Sequence, residues 1–257
     1  VLPCFLYGIL AASILLFYKE KVSIVEQLTV FITLLILSPS LPDAKKIPVN
    51  RLEEIVILGA VIAALIKAIK EKRHHINFKS LSIVEKALLA MAAAATLSIL
   101  HTWIWYGHIW PARCVTEYAK YFKYFYILYI SYRADNPKTD LKVVTIAVFA
   151  VSVIFCLISL AQYFNIFNIN SSFTPLYTKP SHLKELVQGR RIVGTLGNPN
   201  DAAIFELFII FDIIYRLFLK KLTMKHMIAY GFLLVLNGYV MMLTASRTGT
   251  IGFAVGC

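Results

Sequence analysis

Two arginines stand side by side, Arg190 and Arg191, ahead of Gly194, Gly197 and the turn Asn198-Pro199-Asn200, in the string "QGRRIVGTLGNPNDAA". Guanidinium groups present planar, paired donors that match phosphate oxygens, and each charge-assisted bond contributes about 1.5–3 kcal/mol. Glycine lets backbone N–H groups approach a ligand closely. Asn198 or Asp201 can cap a helix that starts here, and a helix N-terminus carries partial positive charge. Cations, bare backbone and a helix end together make an anion site. The same residues also suit an ordinary turn whose arginines meet lipid headgroups, and residue chemistry alone weighs the two readings equally.

A third arginine follows downstream: in "MLTASRTGTIG", Arg247 stands beside Ser246, Thr248 and Gly249. An arginine at mid-bilayer costs about 2.5–3.5 kcal/mol even on a lenient scale, so this one is expected at an interface or in a polar cavity. Taken by itself it would be a snorkelling anchor. Gly249, Gly252 and Gly256 are read as a close helix-packing face.

The elements that must position these residues are apolar. The 257-residue chain is 59% hydrophobic and 16% charged, against about 45–50% and about 25% for a soluble domain. The excess falls in long blocks, which predicts an all-α, polytopic membrane helix bundle. About eight complete spans are expected, over 1–18, 24–41, 52–69, 83–105, 115–132, 143–164, 202–219 and 227–244, with a ninth beginning near 248. The organisation reads as N-terminal spans over 1–164, an external loop over 165–200 carrying the arginine, glycine and Asn-Pro-Asn motif, and a further membrane region from 201 to 257. The last run, "GTIGFAVGC", is too short to span, so more chain is expected beyond it.

The formal charge of +12 invites a nucleic-acid reading, which is rejected. The basic residues sit mostly in short clusters between apolar blocks, where topology explains them. Lys19 and Lys21, the cluster "KAIKEKRHHINFK", then Arg133, Lys138 and Lys142, and finally Arg216, Lys220, Lys221 and Lys225 fall on one side by alternation. That side is read as cytoplasmic, which puts the 165–200 loop outside. Its helix-like "SHLKELVQG" and its aromatics argue against disorder. "HTWIWYGHIW", with His101, Trp103, Trp105, Tyr106, His108 and Trp110, reads as an interfacial aromatic belt. Cys4, Cys114, Cys156 and Cys257 contain no C-x-x-C pair and suggest neither a metal site nor a disulfide framework.

"RIVGTLGNPNDAA", one span, a short basic turn, another span and "LTASRTGTIG" together resemble the O-antigen ligase and O-antigen polymerase family of bacterial membrane glycosyltransferases. Either half alone would be weak, and the resemblance covers about 190–256. It implies a multispan enzyme of surface polysaccharide (lipopolysaccharide) biosynthesis at the outer face of the bacterial cytoplasmic membrane. Such an enzyme moves a glycan from an undecaprenyl-pyrophosphate carrier to another glycan or to lipid A-core, with no metal and no cofactor. It implies that Arg191 and Arg247, with Arg190 beside them, hold the donor pyrophosphate. Gly194, Gly197, Asn198, Asn200, Ser246 and Glu206 would support that site. The histidine that the family uses to activate the acceptor is expected beyond residue 257. His182 matches no family motif and is not assigned that role. A multispan solute transporter is the alternative, in which intramembrane Glu206 would suit a coupling site.

Other charged groups have plainer readings. Glu206 could orient an arginine or a sugar, and a structural partner suits it equally. Asp212 and Arg216 are spaced to pair across one helical turn. Glu117, Lys120 and Lys123, among Tyr118, Tyr121 and Tyr124, suit either sugar contact or interfacial anchoring. His74 and His75 are expected in solvent. Asn170-Ser171-Ser172 fits a glycosylation pattern that carries little weight in a bacterial chain.

Overall fold

A computed structural model describes residues 2–19, 22–40, 51–70, 82–106, 137–178, 180–188, 191–219 and 222–256, with 123, 126, 127, 129 and 130. The predicted 115–132 span falls mostly outside them, as do Arg190, His74, His75, His108, Trp110, Glu117 and Lys120. Among the described residues the chain is all-helical, without strands. The main helices are α1 (Leu2–Lys19), α2 (Ile24–Leu37), α3 (Leu52–Lys70), α4 (Ile83–Tyr106), α5 (Pro137–Tyr163), α6 (Pro180–Val187), α7 (Pro199–Leu219), α8 (Met224–Leu243) and α9 (Arg247–Gly256).

Two of these starts share one local signal. "SIVE" occurs at 23–26 and again at 82–85. In each copy the serine hydroxyl accepts from the glutamate N–H at 3.2 Å. The glutamate carboxylate in turn accepts from the serine N–H, at 2.8 and 2.9 Å. Both copies are capping boxes, which satisfy orphan N–H donors at the first turns of α2 and α4.

The expectation of eight spans is not carried by the helices. Among the described residues two are long and apolar enough to cross a bilayer, Lys142–Tyr163 of α5 and Met224–Leu243, which is α8. Part of the shortfall lies in the helices themselves: the apolar helix α2 is short, Ile24–Leu37. Glu53, Glu54, Lys67 and Lys70 lie at the ends of α3, and Asp201, Glu206, Asp212 and Arg216 lie along α7. The two qualifying helices keep large apolar side chains outside, among them Ile154 and Leu157 on α5 and Phe232, Val235 and Met242 on α8.

The chain divides into two compact units, Val1–Phe31 with Leu41–Val143, and Ile32–Ser40 with Val144–Cys257. In the first, α1 packs on α3, where a Cβ on Gly59 would sit 2.5 Å from that of Ser13. Lys123 is buried there beside Glu53 and Glu54, at 3.4 and 3.6 Å. The lysine read as a sugar contact or an interfacial anchor is therefore an internal counterion in this unit. In the second unit, Ile36, Val151, Phe155, Cys156, Ile192 and Val240 belong to one apolar cluster. The expected pair in α7 forms, with Arg216 Nε donating to Asp212 at 2.8 Å.

The expected glycine face is present in the second unit. A Cβ on Gly249 or Gly252 would lie 2.7 Å from Ala203 or Leu207, and one on Gly256 would strike the Phe211 ring. Three glycines on α9 thus meet three successive turns of α7, and the two backbones approach closely because no side chain intervenes. Gly249 is buried, so Gly249→Val is expected to cost about 1–3 kcal/mol by overpacking. Thermal unfolding in detergent reads this as a lowered midpoint, and an unchanged midpoint would show that α9 does not dock here.

Candidate functional site

The polar segment is built onto the ends of four helices in the second unit. Its first anchor is at the end of α8. There Ile192 N–H donates to the carbonyl of Leu243 at 3.2 Å, and Arg191 Nε donates to that of Thr244 at 3.1 Å. The last carbonyls of a helix lack intrahelical partners and carry partial negative charge, so a guanidinium suits them. Ala245 then takes a left-handed φ of 47°, which turns the chain out of α8.

The second anchor is at the end of α5. Gln162 is fully buried, and its amide spans one residue. Its oxygen accepts from Gly194 N–H at 2.9 Å and its nitrogen donates to Gly194 C=O at 3.0 Å. Gly194 and Gly197 both have positive φ, 57° and 71°. A Cβ would strike the Phe155 ring at the first and the Tyr177 carbonyl at the second. The glycines expected to expose backbone to a ligand are instead buried against Phe155 and the Tyr177 carbonyl. Thr195 donates to Ile36 C=O at 2.6 Å, and Thr178 to Gly197 C=O at 2.8 Å.

Two helix starts complete the site. Asn198 caps α7: its side-chain oxygen accepts from Asn200 N–H at 2.9 Å and its carbonyl from Ala202 N–H at 3.0 Å. Pro199 follows at the first helical position, where its missing N–H costs nothing. Asp201, the other expected cap, lies inside the first turn. Ser246 caps α9 by accepting from Gly249 N–H at 3.2 Å, which places Arg247 at the first position of that helix. Asn200 joins the two starts. Its side-chain oxygen accepts from Ser246 Oγ at 2.9 Å and from Arg191 Nη2 at 3.1 Å.

Arg191, Asn198, Asn200, Ser246 and Arg247 therefore gather at one end of the unit, beside the positive ends of α7 and α9. Arg191 also lies 3.5 Å from Glu185 of α6, the short helix expected in "SHLKELVQG". Three of its donor groups are engaged, out of five N–H bonds in a guanidinium. Arg247 is exposed and shows no hydrogen bond or ion pair to a described residue. Arg190 lies outside the described residues.

Glu206 does not join this cluster. It is fully buried, and its partner is Cys156 of α5, whose thiol donates to it at 3.3 Å. His182, left unassigned, sits 4.0 Å from Glu185. Asn170 is buried and donates to Gln162 C=O at 2.8 Å, so the glycosylation-like triplet begins with a structural residue. Gln162, Glu185 and Thr244 carried no sequence signal, because each acts on a partner remote along the chain or through its backbone.

Replacing Gln162 by Leu would leave the N–H and C=O of Gly194 without these partners inside the unit. Each buried orphan costs about 1–3 kcal/mol, so Gln162→Leu is expected to lower the unfolding midpoint more than a surface substitution such as Lys184→Leu. Equal midpoints would mean that the amide bridge does not hold the segment. No family model, no curated protein and no solved structure matches this chain.

Proposed function

We propose that this chain belongs to a multispan membrane protein whose Arg191–Arg247 end binds a pyrophosphate, as the donor site of a lipid-linked glycan transferase of O-antigen ligase or polymerase type. The observation that carries the reading is the joining of Arg191 and Ser246 through Asn200. Arg247, the next residue after Ser246, then stands at the same end with its guanidinium uncommitted among the described residues. The proposed ligand is undecaprenyl-pyrophosphate carrying a glycan, and the acceptor a second glycan or lipid A-core. The proposed location is the bacterial cytoplasmic membrane, with the 165–200 segment on its outer side.

The chemistry follows from charge. As the sugar–phosphate bond breaks, negative charge grows on the departing pyrophosphate. Fixed cations beside it stabilise that state more than the ground state. Arg191 is held in place by Asn200 and the end of α8, so its guanidinium would act without reorganising. Arg247 adds a second cation, and the capped starts of α7 and α9 add their partial charges. Glu206 is a poor candidate for orienting either arginine, because its described contact is with Cys156 deeper in the unit.

The test is binding of undecaprenyl pyrophosphate, with undecaprenol as the phosphate-free control, followed by glycan transfer in proteoliposomes. Arg191→Ala and Arg247→Ala should each weaken pyrophosphate binding by about tenfold to about a hundredfold, the worth of one charge-assisted contact. Undecaprenol binding should not change. Unaltered pyrophosphate affinity in both variants would end the proposal. The second reading, a solute transporter, is favoured by the buried Glu206. It predicts solute accumulation that Glu206→Gln abolishes, with no glycan transfer.

A further inference from the structure

From Ser152 to Gln162 the interior of α5 carries a polar residue at each turn. Ser152, Cys156, Ser159 and Gln162 are all fully buried, and their spacing of four, three and three residues puts them in one row along the helix. The two end rungs of this row are matched. Ser152 donates to Asn237 of α8 at 2.6 Å, and Asn237 donates to Leu233 C=O at 2.8 Å. Gln162 is paired with Gly194. The middle rungs are not. The Cys156 thiol donates to one oxygen of Glu206 at 3.3 Å, but the other oxygen of Glu206 has no hydrogen-bond partner. The hydroxyl of Ser159, one turn along α5 from Cys156, has none either.

A buried polar atom without a partner costs about 1–3 kcal/mol, and a buried carboxylate without a counterion costs more. Glu206 meets the row at Cys156 and Ser159 is the next rung, so two such oxygens about one helical turn apart mark a place built for something electropositive. The described charged groups nearby do not supply it. On α7, Arg216 pairs with Asp212. On α8, His226 is bonded to Thr223 at the far end of that helix, Tyr230 meets the Phe149 ring edge-on and Tyr239 is exposed. On α9, Arg247 is exposed, and Arg191 is held by Glu185, Asn200 and Thr244. Cys156 is the titratable group that faces Glu206.

We propose that Glu206 of α7 and Ser159 of α5, one turn along the row from the Cys156 thiol that bonds Glu206, form a site for one small monovalent cation, a proton or a sodium ion. Both ions offer the same chemistry, a compact positive charge for a carboxylate oxygen and a hydroxyl oxygen in dry surroundings. One carboxylate balances one positive charge and would leave a divalent ion uncompensated in dry surroundings. The inference rests on neither reading of the arginine site. Loss of pyrophosphate binding leaves it standing, and its own failure leaves the arginine site untouched.

The experiment is labelling of the protein in its membrane with dicyclohexylcarbodiimide, a hydrophobic reagent for carboxylic acids, read by peptide mass spectrometry. Glu206 is expected to be modified at least about tenfold faster than Asp201, the exposed carboxylate of the same helix, a ratio worth about 1.4 kcal/mol. If the ligand is a proton, Glu206 labelling falls as pH rises and sodium chloride does not differ from choline chloride. If it is sodium, sodium chloride protects Glu206 and choline chloride does not. Ser159→Ala removes one ligand oxygen and should change the rate or the sodium protection several-fold. Glu206 labelled no faster than Asp201, with no sodium protection, would overturn the site. Identical labelling in Ser159→Ala would overturn the part assigned to the hydroxyl.

Discussion

A chain that leaves its helix among packed apolar helices must find new partners for its N–H and C=O groups, and the 191–198 segment is arranged around that demand. Gly194 is paired on both sides by the amide of Gln162. Gly197 C=O is taken by Thr178, and Ile192 N–H is given to the end of α8. Once Ile192 is fixed to Leu243, the neighbouring Arg191 has its guanidinium at the negative end of the same helix. The position of this arginine is therefore inherited from backbone pairing, and so is its nearness to Arg247, three residues beyond Thr244.

The two units treat buried charge in opposite ways. In the first, Glu53 is fully buried and faces two cations, Lys123 at 3.4 Å and Arg51 at 3.5 Å. Removing one member of such a cluster leaves a buried charge uncompensated, at a cost of about 3–5 kcal/mol. In the second, Glu206 is equally buried and meets a thiol, a weak donor. A carboxyl group placed purely for stability would be expected to resemble Glu53. Its difference from Glu53, more than its burial, is what sets Glu206 apart.

What the sequence revealed was local. Length and apolarity predict 143–164 and 227–244 among eight spans, and the two helices that can cross a bilayer lie there. The glycine spacing at 249, 252 and 256, the Asp212–Arg216 pair, the short helix before Gly189 and the cap at Asn198 all act within one or two turns, and all are present. The repeated "SIVE" was equally local, yet its meaning depends on where a helix starts. Partners remote along the chain were not legible: Gln162 with Gly194, Thr195 with Ile36, Lys123 with Glu53. No periodicity encodes which helices become neighbours. For the same reason Glu206 could not be separated from the arginines by sequence, although one turn of α7 divides it from Ala202.

In the proposed site Arg191 is both a staple and a ligand-binding group, two roles that its geometry makes compatible. Its bonds to Asn200 and Thr244, both 3.1 Å, fix the side chain, whereas the approach to Glu185 is longer, 3.5 Å, and reaches a half-exposed carboxylate on a short helix. Surface ion pairs of that kind contribute about 0–1 kcal/mol, less than an arginine–phosphate contact. An incoming anion could therefore displace Glu185 without dislodging the arginine. Arg247 needs no such exchange, since its guanidinium is already exposed. On this view the anion would meet Arg247 first and Arg191 second, and α6, which carries Glu185, would be the element that yields.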